Sequence, residues 1–268
     1  MRNIRTYLDY VTRRIGWMFY YLFPSALANN EIRENIYEWR EATAFIPHAD
    51  DEILGLWKSI TSSEVTLLYF ALTGSNKEKI NKEIRDAEFN KFCGVVGCNC
   101  QWIDNMTDES MYSLLTASKA VAIPSLVDWH QEHRKMNFIC LDYCERFDIK
   151  PDIIWYNISV PCPETEQVLY SHLTRKELRK KYKTFKQHYP SQSNIPIFRF
   201  KTKERCYGAE CGSYAAEKFV LMRYDEWKSK IEKSGKLDIT DQTDALLKKI
   251  NNLKEITRAS KVIYTLLK

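Results

Sequence analysis

The chain predicts a three-layer α/β fold with a mostly parallel central sheet and extra helices at both ends. Short apolar runs recur along it and alternate with longer segments of helical spacing. That order builds parallel sheets with helices on both faces. Two of the runs, Ala42–Ile46 and Ala120–Ile123, stop at a proline, which has no N–H to continue a ladder. A length of 268 residues at 44% hydrophobic content supplies one sizeable core with appendages.

Met1 to Asn30 carries Arg2, Arg5, Arg13 and Arg14, then apolar Ile15–Phe23. Ile4, Leu8, Val11, Ile15, Met18 and Leu22 form the stripe of an amphipathic helix. With Pro24-Ser25-Ala26-Leu27-Ala28 the segment resembles a secretory signal, but its apolar run is shorter than the ~20 residues of a spanning helix. The stripe can pack on the domain, on a second subunit or in a membrane interface with its arginines outward; packing against protein is the expectation.

Strands are expected at Thr43–Ile46, Val65–Leu72, Asn99–Ile103 and Ala120–Ile123, and helices at Ile53–Ile60, Lys77–Phe92 and Gln131–Phe147. A strand at Ile153–Ser159 is expected to pair with Gln167–Ser171, followed by a helix at Arg175–His188. Leu246, Leu247, Ile250, Leu253, Ile256 and Ile263 space a C-terminal helix within Ile239–Leu267. The division is a helical arm over 1–38, a central domain over 39–225 and a helical extension over 226–268.

Two loops carry chemistry. Pro47-His48-Ala49-Asp50-Asp51-Glu52 follows the first strand, at the end where open α/β sheets gather ligands. Glu52 opens the next helix, whose free N–H groups favour acidic side chains; a solvated acidic N-cap is the plainer account. Asp128-Trp129-His130-Gln131-Glu132-His133 follows the strand at Ala120–Ile123. On a helix, His130 and His133 share one face. One can bind a metal while the other faces a substrate, or both are surface histidines at a helix start. The chain has 5 histidines and three fall in these loops, which favours the metal reading.

These residues resemble the PIG-L (LmbE-like) zinc deacetylases, which remove acetyl groups from N-acetylglucosamine-type sugars. The first loop resembles the family's Pro-His-Pro-Asp-Asp-Glu and the second its His-Pro-Asp-His. Leu72-Thr73-Gly74, Arg85-Asp86-Ala87-Glu88, Lys181 to His188 with Ser191-Gln192, and Tyr214 to Phe219 resemble further family elements in the same order. Ala49 departs from the usual proline and Gln131-Glu132 from Pro-Asp; neither removes a ligand atom. The resemblance implies a Rossmann-like three-layer domain with His48, Asp51 and His133 as zinc ligands, another divalent metal such as Fe2+ being the alternative. It implies Asp50 as general base and His130 as oxyanion stabiliser; a carboxylate such as Glu132 or Asp128 would orient His130 and favour its protonated form. Arg85 either contacts substrate or forms a salt bridge with Glu88.

The formal charge is +5, too mild an excess to point to nucleic acid. The run Arg175–Lys183 reads as a solvated basic face, with attraction to an anionic substrate or a membrane surface as the alternative. With 8 glycines and no Gly-rich phosphate loop, a dinucleotide site is not expected. The 8 cysteines read as reduced thiols of a cytosolic protein, with Cys206 and Cys211 the one candidate pair. The resemblance thus implies a cytoplasmic zinc-dependent deacetylase acting on an N-acetylated amino sugar within a nucleotide-sugar, lipid-linked sugar or glycan precursor. Peripheral contact at the inner face of a membrane, or a homo-oligomer contact, would run through the N-terminal arm. A zinc amidohydrolase on a small N-acyl metabolite and a non-catalytic sugar-binding protein are the alternatives. Specificity is expected in loops Asn105–Ser118 and Pro161–Glu166.

Overall fold

A computed structural model describes residues 2–27, 41–62, 65–72, 82–162, 167–236 and 252–268. Thr73 and Gly74, the first turn of the helix expected from Lys77, Pro163 to Glu166, and Leu246, Leu247 and Ile250 lie outside the described residues. Among the described residues, seven strands form one sheet: β1 (Ala42–Ile46), β2 (Val65–Tyr69), β3 (Asn99–Trp102), β4 (Ala120–Pro124), β5 (Asp152–Tyr156), β6 (Val168–Leu173) and β7 (Ala215–Met222). Their order is β3-β2-β1-β4-β5-β7-β6. The first five are mutually parallel, and β7 runs antiparallel to both β5 and β6.

Helices among the described residues are α1 (Arg2–Leu22), α2 (Asp51–Ser62), α3 (Lys82–Val96), α4 (Asp108–Ala117), α5 (Gln131–Phe147), α6 (Arg175–His188), α7 (Ile197–Glu210), α8 (Tyr224–Lys236) and α9 (Leu253–Leu266). The central strands are buried along their whole length because both sheet faces are covered, which is why they read as continuous apolar runs. Phe45, Val121, Ile123, Ile153 and Trp155 enter one core, while Ala44, Ile46, Ala122, Ile154 and Tyr156 enter the other. Trp227 of α8 and Ile263 and Tyr264 of α9 belong to the first core, so the C-terminal helices help to cover the sheet.

The expected pairing of β5 with the strand after it is not formed. β7 lies between β5 and β6 and pairs Tyr156 with Phe219 and Leu169 with Phe219. The segments over 108–117, 197–210 and 224–236 are helices absent from the sequence reading. The cysteines are not all thiols: Cys93 of α3 is disulfide-bonded to Cys100 of β3, with Cys98 free nearby. The two partners become neighbours because α3 packs back beside the edge strand that follows it, which spacing alone does not reveal. Cys206 and Cys211 are free.

Lys181 lies in the run read as a solvated face, yet it is fully buried. Its ammonium bonds Glu204 of α7, Glu217 of β7 at 2.8 Å and the Leu54 carbonyl of α2 at 3.0 Å. Burial alone pulls its pKa down; the charges of Glu204 and Glu217 outweigh that and raise it. Glu217 also accepts the N–H groups of Trp57 and Lys58, next to a kink in α2 at Leu56 (φ −134°, ψ 17°) that turns those donors aside. One buried ion cluster thus ties α2 to α6, α7 and β7. Lys181→Met strands two buried carboxylates and is expected to lower unfolding stability by about 3–5 kcal/mol. Urea denaturation checks this, and a loss below about 1 kcal/mol would contradict the ledger of that cluster.

Candidate active site

The chain passes from β1 outward to β2 and β3, then returns to β4 on the other side of β1. Such a switch point opens a crevice beyond the C-terminal ends of the two central strands. Both loops read from the sequence end there: His48 to Asp51 after β1, and Asp128 to His133 after β4. They line a cavity of about 560 Å³, within the ~300–1,000 Å³ usual for small-molecule sites.

Local structure fixes each side chain. Asp51 is the first residue of α2, and its carboxylate accepts the backbone N–H of His48 at 2.9 Å. Asp50 has φ 110°, a left-handed conformation that costs about 1–3 kcal/mol in a non-glycine residue. It is held there by its N–H, which donates to Glu52 Oε2 at 3.0 Å. Tyr189 donates to the other Glu52 oxygen at 2.5 Å, so Glu52 supports the loop from beneath. On the second loop, Asn137, one turn past His133, donates to the Pro124 carbonyl at 2.9 Å. Trp155 and Trp227 both donate to its side-chain oxygen, pinning α5 to the end of β4.

His48, Asp50, Asp51 and His133 are all buried. Asp51 reaches both imidazoles, with Oδ2 3.0 Å from His48 Nδ1 and Oδ1 3.4 Å from His133 Nε2. Each of His48, His130 and His133 also presents a ring nitrogen within 4.8 Å of the other two. This donor set of imidazoles and one carboxylate fits a divalent transition metal such as zinc. The buried His130 Nδ1 has no hydrogen-bond partner among the described residues, as expected of a nitrogen kept for a ligand.

Burial opposes charge on each of these groups, and the neighbours decide the outcome. His133 is pushed up to about 10, because the charges of Asp51 and Asp128 outweigh burial. His48 is raised for the same reason, chiefly by Asp51. Asp51 is held far below the carboxylate range by His133 and His48 despite its burial. Asp50 is raised well above that range by burial and the Asp51 charge, which Arg85 only partly offsets. His130 is lowered to about 4 by burial and by the charges of His133 and His48.

The expected orienting contacts of His130 are not the ones formed. Glu132 bonds His48 Nε2 at 2.6 Å. Asp128 accepts the backbone N–H of His130 at 2.8 Å, and its other oxygen lies 3.2 Å from His133 Nδ1. The two acids therefore favour the cations of His48 and His133, and His130 is a neutral imidazole in place of the expected cation. His130 is also the N-cap of α5 and not a residue of its first turn, although its ring stacks on His133 at 4.6 Å. Arg85 donates to the Ala49 carbonyl at 3.0 Å and lies 3.6 Å from Asp50. Glu88 accepts from Ser191.

The cavity wall adds Trp17, Trp129, Arg199 and Lys203, none of them assigned from the sequence. Trp129 sits beside His130 in the chain and was within reach of the motif. Arg199 and Lys203 lie on α7, for which no sequence signal was found. Buried Lys203 is lowered to about 8 by burial and donates to the carbonyls of Asn157 and Ile158. Of the two loops expected to set specificity, Pro161 lines the cavity, whereas the segment over 108–117 is helix α4 and does not.

The chain matches no protein-family model and no curated protein sequence. Among solved structures it is similar to the zinc-inhibited form of a teicoplanin deacetylase, at 12% identity and a TM-score of 0.52 over 70% of this chain and 99% of that one. It is also similar to the A40926 pseudoaglycone deacetylase, at 14% identity and a TM-score of 0.50 over 69% of this chain and 98% of that one. These likenesses show a shared fold.

Proposed function

We propose that the chain is a metal-dependent hydrolase that removes an acetyl group from an N-acetylated amino sugar. The convergence of His48, Asp51 and His133 at the switch point of the sheet, with Asp50 beside them and not between them, is the observation that supports this most. The resemblance of both loops to zinc deacetylase signatures supports the substrate class, a sugar within a nucleotide-sugar, lipid-linked sugar or glycan precursor.

A divalent cation held by His48, Asp51 and His133 supplies Lewis acidity toward the acetamide carbonyl and the attacking water. Asp50 takes a proton from that water; the raised proton affinity given by burial suits a group that then returns the proton to the departing amine. Neutral His130 donates one N–H to the developing oxyanion, and its second nitrogen need not be charged to do so. Arg85, fixed by the Ala49 carbonyl, holds Asp50 in place from the cavity wall. Glu132 and Asp128 orient His48 and His133. Acetate release from a panel of N-acetylated sugars and their nucleotide and lipid conjugates tests the reading. A metal-loaded, folded chain that releases no acetate from any of them would favour a binding protein.

Metal uptake is expected to expel protons. Without metal, His133 keeps its proton up to about pH 10, and only the neutral ring can ligate. Affinity should therefore rise with pH and level off above that value. Calorimetry at pH 8 in buffers of different ionisation enthalpy should find at least about one proton released per metal, with His48 adding to it; zero release would refute the ligand role of His133. His130→Ala is expected to keep metal content and reduce turnover by ~10²–10³. Equal turnover in mutant and parent would remove His130 from the mechanism.

A further inference from the structure

From Ile15 onward, the helix face that the N-terminal sequence pattern marks as apolar is exposed among the described residues. Ile15, Met18, Phe19, Leu22 and Phe23 are 48–61% exposed, and they follow one another at helical spacing along the last turns of α1 and just beyond it. The packed side of α1 is the opposite one. Trp17 is buried against Cys206 and Leu253 and lines the cavity. Phe198 of α7, itself 40% exposed, stands 5.2 Å from Tyr21 and widens the apolar surface.

A basic surface lies nearby. Arg205 of α7 lies 5.9 Å from the Tyr21 ring of α1, and Lys201 of α7 lies 5.2 Å from the Tyr182 ring of α6. Arg175, Lys176, Arg179, Lys180, Lys183 and Lys186 are all exposed along α6, whose one acid, Glu177, pairs with Lys58. The sequence of α1 itself carries Arg2, Arg5, Arg13 and Arg14 against Asp9.

We propose that the exposed face of α1, with the basic face of α6 beside it, seats the molecule on an anionic lipid surface. An exposed apolar stripe flanked by cations is what an interfacial helix presents to acyl chains and anionic headgroups. A second copy of the chain is the poorer occupant. A two-fold contact through the same patch would bring like basic faces together. Spanning is not the mode, because no helix among the described residues is long and apolar enough to cross a membrane. Since Trp17 lines the cavity from the other side of α1, the lipid contact lies about one helix diameter, roughly 10 Å, from the site.

Co-sedimentation of the full chain with vesicles tests this. Vesicles of phosphatidylcholine with 30 mol% (roughly a third) phosphatidylserine should bind at least about 10-fold more protein than phosphatidylcholine alone, with the difference collapsing in about 0.5 M salt. Ile15→Ser, Phe19→Ser and Leu22→Ser combined should reduce that binding at least about 10-fold while circular dichroism stays unchanged. Arg175→Gln, Arg179→Gln and Lys180→Gln combined should remove the preference for anionic vesicles, which tests the surface without touching α1. Equal binding to both vesicle types, or none, overturns the proposal. So does a dimer in sedimentation velocity that the serine variant dissociates, since the stripe would then be a contact between copies.

Discussion

His133→Ala is expected to lose both bound metal and turnover. His133 is one of two imidazoles that Asp51 reaches, and its other nitrogen faces Asp128. Removing it leaves two donors on the metal and two buried carboxylates without their common partner. Loss of a supporting contact alone lowers metal affinity ~10–100-fold, so loss of the ligand itself should exceed about 100-fold. Elemental analysis of the purified variant checks this. The metal-free variant should also be less stable, by about 3–5 kcal/mol, because the carboxylates lose the buried cation between them. His133→Gln, which keeps a polar side chain of similar reach, separates the two effects: it should restore part of the stability and none of the turnover. A variant at this position that retains full metal content would show that other residues hold the ion.

Asp50→Asn is expected to separate binding from chemistry in the opposite sense. Asp50 adjoins Asp51 in the chain but points to Arg85, at 3.6 Å, and makes no direct contact with either His48 or His133 among the hydrogen bonds and ion pairs described. An amide keeps its size and its contact with Arg85 yet cannot take a proton. Turnover should fall by ~10²–10⁴, the value of general acid–base help, with metal content near the parent's. The substitution also removes a buried acid whose ionisation is opposed by burial and Asp51, so stability at neutral pH should be equal or higher. The sign follows from the raised pKa. The unfolded carboxylate ionises above about pH 4 while the folded one resists, so the acid weakens the fold as pH rises past its ordinary value. Loss of metal together with activity would mean that Asp50, and not Asp51, is the ligand.

Much of the half that carries the candidate site was legible because its signals are local. β1 and β4 are short apolar runs ended by proline, and α5 begins at Gln131 where the histidine loop predicts it. The sheet's far edge was not legible. β7 is inserted between β5 and β6, a pairing set by tertiary packing that no spacing in Gln167–Ser171 encodes. Helix α7 carries Lys203 and Glu204, two charged residues buried by partners distant in the chain, so its pattern lacks the amphipathic signature of a surface helix. Lys181 misled for the same reason: a lysine in a basic run reads as solvated until Glu204 and Glu217 are placed around it. The charge of His130 was not foreseen. The acids near it in sequence turn to His48 and His133, leaving burial and two neighbouring cations to keep it neutral.

The central claim is a catalytic metal held by two histidines and one aspartate at the switch point of the sheet. Anomalous diffraction at the zinc edge from crystals of the zinc-loaded protein tests it most directly. The account predicts one strong peak ~2.0–2.2 Å from a nitrogen of His48, an oxygen of Asp51 and a nitrogen of His133, with His130 near the ion but outside bonding distance. A peak bonded to His48, His130 and His133 with Asp51 outside its shell, or no peak at the end of β1 and β4, would contradict it.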